Sequence, residues 1–147
     1  MADIELDNKN RVRDAFGAVR VMERTGTIPA ATSIADTISV VKFSKGAKID
    51  TFVIESAELD STDTATLAVG YVYDDAALTS DPDAFFAALD IAQSGGGFVF
   101  WPGDADSLTV TGFEAEGDGA LVITTAAAAT DTEGAITGRV SLSNGDV

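Results

Sequence analysis

The stretch Ala47-Lys48-Ile49-Asp50-Thr51-Phe52-Val53-Ile54-Glu55-Ser56-Ala57-Glu58-Leu59 decides the fold, together with what flanks it. It is rich in β-branched and aromatic residues, as a half-buried strand requires. Asp60-Ser61-Thr62-Asp63 breaks it with turn-forming side chains. Thr66-Leu67-Ala68-Val69-Gly70-Tyr71-Val72-Tyr73 then alternates, placing Leu67, Val69, Tyr71 and Tyr73 on one face. Upstream, the turn Ser44-Lys45-Gly46 separates this region from Thr37-Ile38-Ser39-Val40 and Val41-Lys42-Phe43. Those two alternating runs are out of phase by one residue, which suits a bulge or a strand end.

Further out, Phe98-Val99-Phe100-Trp101 reads as a dense strand stopped by Pro102-Gly103. Leu108-Thr109-Val110-Thr111 alternates, Glu116-Gly117-Asp118-Gly119 signals a hairpin, and Ala120 to Thr125 makes a strand. Asp131-Thr132-Glu133-Gly134 turns the chain into Ala135 to Leu142, with Ile136, Val140 and Leu142 in phase. One segment reads as a helix. Asp81 is a good N-cap, Pro82 suits the first helical position, Phe85, Phe86 and Leu89 form a stripe, and Gly95 suits its end. Val12, Ala15, Phe16 and Val19 also permit a short helix across Arg11–Val19. These signals predict a mainly β, single-domain β-sandwich or jelly-roll-like barrel. It has about eight strands, one short embedded helix and an N-terminal arm. The expected division is an arm over residues 1–19 and a β domain over 20–147.

Charge is distributed unevenly. The first 48 residues hold eight of the nine cations and six of the 24 acids; the other 99 hold Arg139 and 18 acids. The leading segment is thus slightly basic at +2, while the rest carries −17, which gives the net charge of −15. Such a body repels nucleic-acid phosphates. The candidate contact residues are Arg11, Arg13, Arg20 and Arg24 on the arm side, and Lys42, Lys45 and Lys48 around one turn. Arginine pairs bidentately with carboxylates, so an acidic protein partner fits the first group. The lysine turn has the plainer explanation of keeping a sheet edge soluble.

Little points to catalysis. The chain has neither His nor Cys, which removes the usual neutral-pH base, disulfides and thiolate metal sites. The pairs Asp74-Asp75, Asp81/Asp83, Asp104/Asp106 and Glu114/Glu116/Asp118 read as turn chemistry, since none has the spacing of a calcium loop. Gly95-Gly96-Gly97 lacks the Lys-Ser/Thr of a phosphate loop. No cofactor is expected. Phe98 and Phe100 read as core, while Trp101, out of phase and beside Pro102, is the ring expected at the surface as an interface anchor. The opening residues carry no signal-peptide pattern and no apolar run spans a membrane, so synthesis in a cytoplasm and no membrane partner are expected.

The central region resembles a known family. The residues are Phe43-Ser44-Lys45-Gly46-Ala47-Lys48-Ile49, Glu58-Leu59-Asp60-Ser61, Thr66-Leu67-Ala68-Val69-Gly70 and Asp81-Pro82-Asp83-Ala84-Phe85-Phe86. The run Ala92-Gln93-Ser94-Gly95-Gly96 follows, with a weaker echo in Thr124 to Ala129 and Gly134-Ala135-Ile136-Thr137. They are similar to capsid decoration (cement) proteins of tailed bacteriophages. About a third of the chain carries the likeness strongly; residues 1–35 do not match. The resemblance implies a non-enzymatic virion protein on the outer capsid surface, bound between major capsid protein subunits and reinforcing the shell. Self-association on the lattice is expected with it. A tail or head–tail junction protein is the alternative, and a carbohydrate-binding module using Trp101 is a third reading.

Overall fold

The computed structural model describes residues 3–5, 7–11, 19–102 and 113–143. Among them there are eleven strands and no helix. They are β1 (Asp3–Glu5), β2 (Asp7–Arg11), β3 (Val19–Ile28), β4 (Thr37–Phe43), β5 (Lys48–Ser56) and β6 (Thr66–Tyr73), followed by β7 (Asp81–Leu89), β8 (Gly97–Trp101), β9 (Phe113–Glu114), β10 (Gly119–Ala126) and β11 (Gly134–Ser143). One sheet has the order β1-β4-β10-β6-β7; the other runs β2-β3-β11-β5-β8, with β9 also on β5. All pairings are antiparallel except β1 with β4. The chain changes sheet at most of its connections. The result is a mainly β sandwich with jelly-roll-like crossing.

Alternation explains which side of each strand is dry. On β5, Ile49, Phe52, Ile54 and Ser56 are buried, and on β11, Ile136, Gly138, Val140 and Leu142 are. The phase break in β4 is a bulge. Val41 pairs Leu121 and Ser39 pairs Val122, so Val40 is the extra residue, and Val40 and Val41 are both buried. Gly138 faces this site: a Cβ there would come within 2.5 Å of Val40 Cγ1. Glycine therefore lets the two sheets close at that point.

The expected helix over 81–95 is a strand instead. On β6 and β7, Val69 pairs Phe86 and Tyr71 pairs Asp81, so Pro82 to Phe85 bulge opposite Gly70 alone. A Cβ on Gly70 would lie 2.2 Å from the Asp81 carbonyl oxygen, so only glycine admits this crossing. The bulge also turns both Phe85 and Phe86 inward, which imitated a helical stripe. Asp81 does not cap a helix. Its carboxyl is held above the ordinary value by a hydrogen bond shared with Asp83, then by burial. Helix signals of a few tenths to about 1 kcal/mol each yield to burial of two phenylalanines, worth about 1.5–3 kcal/mol apiece.

Residues 12–18 of the possible Arg11–Val19 helix lie outside the described residues, as does the expected strand 108–111. Arg11 itself ends β2, and Val19 opens β3.

Candidate functional site

The expectations for the aromatic strand β8 are inverted. Trp101 is 1% exposed, not a surface ring. It stacks on Phe52 at 5.4 Å with 10° between planes and meets Phe85 edge-on at 4.8 Å. Phe98 and Phe100, expected in the core, are 71% and 45% exposed. The cause is register. Phe52 pairs Trp101 and Ile54 pairs Val99, so the inward phase of β5 draws Trp101 and Val99 inward. Phe98 and Phe100 take the opposite phase beside Glu55 and Val53. A strand beside Pro102 with three aromatics does not disclose its phase; the partner strand sets it.

The outer side of this second sheet forms a continuous face. Along one row Glu23, Arg139, Val53 and Phe100 sit side by side on β3, β11, β5 and β8. Arg139 Nε donates to Glu23 Oε2 at 3.0 Å, and Arg139 Nη1 lies 3.2 Å from Glu55 Oε1. These acids raise the guanidinium's already high pKa. In the next row Thr25, Thr137, Glu55 and Phe98 align, with the Thr25 and Thr137 hydroxyls 2.9 Å apart. Four carboxylates (Glu23, Asp50, Glu55, Glu114) meet two cations (Lys48, Arg139) on the described part of this face. It is only mildly acidic on a chain with a net charge of −15.

The lysine cluster is divided by the fold. Lys42 lies on the outward phase of β4 in the first sheet, while Lys48 lies on the outward phase of β5 in the second. Lys45 sits on the connecting turn, whose N–H donates to Asp118 Oδ1 at 2.9 Å. There it borders a hollow of about 490 Å³ lined also by Asp74, Asp75, Leu78, Glu116, Gly117 and Asp118. The three lysines thus do not form one basic surface. Arg24 shares the inner phase of β3 with Met22 and Ile28, opposite Gly138, and is half-buried. Arg11 and Arg20 lie on β2 and β3, and Arg13 lies outside the described residues.

At the other end, carboxylates build loops. Asp60 is 1% exposed and accepts from the N–H groups of Thr62, Thr64 and Ala65 and from both threonine hydroxyls. The Thr62 hydroxyl and the Ala65 N–H do most to hold its pKa far below the usual carboxylate range, against the effect of burial. Asp131 takes the Ser61 N–H and hydroxyl and is lowered likewise, the Ser61 N–H first. Asp63 accepts from the Ser94 N–H at 2.7 Å beside a groove of about 460 Å³ that Phe98 also borders. Among the described residues no group of three or more acids is placed to hold a metal ion.

Comparison with solved structures places this fold. The chain is similar to a chain of the cyanophage Pam1 capsid asymmetric unit, with 26% identity, a TM-score of 0.67, and 90% of this chain matched to 89% of that one. This is a phage-capsid likeness. A chain in the capsid of Ralstonia phage GP4 matches at 21% identity and TM-score 0.67, over 99% of this chain and all of that one. A chain in the acidic stable capsid structure of Helicobacter pylori bacteriophage KHP30 matches at 13% identity and TM-score 0.54, over 92% of both. The last two show the fold alone. No family model and no curated protein matches the chain.

Proposed function

We propose that this protein is a bacteriophage virion structural protein that decorates the outer capsid surface, bound between major capsid protein subunits. The observation that carries the reading is the likeness, over 90% of this chain, to a chain of the cyanophage Pam1 capsid asymmetric unit. The chemistry supports it. The described carboxylates with the lowest pKa are spent on turns, and the exposed Phe98 and Phe100 lie on the outer side of a sheet. A binding role rather than an enzymatic one follows. Repetition on a lattice would turn weak single contacts into firm attachment.

The decisive experiment is quantitative band density on purified particles, combined with imaging of particles stripped of the protein and then re-supplied with it. Hundreds of copies and density on the outer lattice are expected. Six or twelve copies would favour the alternative, a tail or head–tail junction protein. Residues 1–19, with Arg11 and Arg13, are proposed as an auxiliary arm, with Arg20 just beyond it. Arg11→Glu/Arg13→Glu, which leaves β1 and β2 in place, should lower occupancy, and unchanged occupancy would remove the arm's arginines from the mechanism. The carbohydrate-binding reading loses its main support, because Trp101 is buried between the sheets.

A further inference from the structure

We propose that the outer face of the second sheet, built around Phe98 and Phe100, is the surface that seats on the capsid shell. This rests on the virion reading above, and it replaces basic charge with apolar contact as the basis of attachment. Two phenylalanines at 71% and 45% exposure on one strand are unusual for a surface meant to stay wet. They stand on the same side of β8, two residues apart, and continue inward onto Val53 of β5. Arg139, the cation in the middle of the face, is held between Glu23 and Glu55 and so presents little net charge.

Electrostatics and area select the occupant. A strongly basic partner would be drawn to the acidic loop ends, and a nucleic acid would be repelled throughout. A mildly acidic face with exposed rings and threonine hydroxyls suits a flat, weakly charged protein surface that offers apolar ground between hydrogen-bonding groups. Five strands about 4.8 Å apart and up to about 30 Å long cover roughly 600–700 Å², near the ~800 Å² per partner of a stable interface. The edge opposite β8 is β2, so the proposed arm lies at the margin of the same face and would add contacts there.

The test measures occupancy on stripped particles for the full chain, for Phe98→Asp/Phe100→Asp, for Phe98→Asp alone, and for Lys42→Glu/Lys45→Glu. Circular dichroism reports folding, and sedimentation gives the mass of each free protein. The double phenylalanine variant should lose about tenfold or more in affinity, whereas the double lysine variant, altered away from this face, should stay within about twofold. Phe98→Leu/Phe100→Leu should restore most of the binding. Should the double variant misfold, Phe98→Asp alone carries the same expectation at the more exposed ring. A folded phenylalanine variant that binds like the unaltered chain overturns the proposal. So does a change in the mass of the free protein, which would assign the strip to contacts between copies. If the unaltered chain itself fails to bind stripped particles, the virion reading falls, a different result from failure of this face.

Discussion

Trp101 and Phe98 lie three residues apart on one strand, yet they inhabit different physical settings. Trp101 closes an aromatic cluster with Phe52 and Phe85 between the sheets, while Phe98 and Phe100 stand in solvent on the sheet's other side. The cluster is held by packing within the chain and belongs to stability. The strip keeps much of its apolar area in solvent after folding, and that area remains available to a partner. The contrast shows that residue type alone does not separate core from contact surface; strand phase does.

The sharpest way to break this comparison is Trp101→Ala. Loss of the buried ring should cost about 3–5 kcal/mol in chemical denaturation. A cost below that of an ordinary surface change would mean that the cluster is not where the strand is anchored. Gly138→Ala should come next, at about 1–3 kcal/mol, because the new methyl meets Val40 Cγ1 at 2.5 Å. Trp101→Phe should be milder, at about 1.5 kcal/mol or less, since it retains an aromatic ring and removes an indole N–H that has no hydrogen-bond partner.

Acid titration probes the loop end. Asp60 has a depressed folded pKa, so its contribution to stability is full above the ordinary value of 3.8 and fades as pH falls towards the folded pKa. Stability measured from pH 5 downwards should therefore fall less steeply in Asp60→Asn than in the unaltered chain; equal slopes would refute the assignment. The smallest effect on stability should come from Phe98→Asp/Phe100→Asp, within about 0.5 kcal/mol, because neither exposed ring is a core residue. Only for this variant is occupancy on particles expected to fall far more than stability. Parallel losses would dissolve the distinction between cluster and strip.

Much of the sandwich was legible from local pattern. The strands β5, β6, β10 and β11 alternate clearly, and the phase break in Val40-Val41 suited a bulge or a strand end, of which the pairing with β10 selects the bulge. Asp81 to Leu89 misled because Asp-Pro-Asp and paired phenylalanines describe a helix start and a wide bulge equally well. What decided between them was Gly70, eleven residues upstream, whose missing Cβ makes room for the bulge. The lysines are close in sequence around one turn, but a turn that crosses between sheets sends its flanking side chains to opposite faces.

By itself the sequence determined an acidic, cysteine-free and histidine-free β protein with basic residues gathered near its start. Composition, period-two alternation and turn residues are local quantities, and they need no partner to be read. Tertiary structure alone decided that Asp81 to Leu89 would be a strand, that Trp101 would go in and Phe98 out, and that the lysines would separate. Each of these depends on the register of a strand against a neighbour distant in sequence, and a shift of one residue would have exchanged the faces.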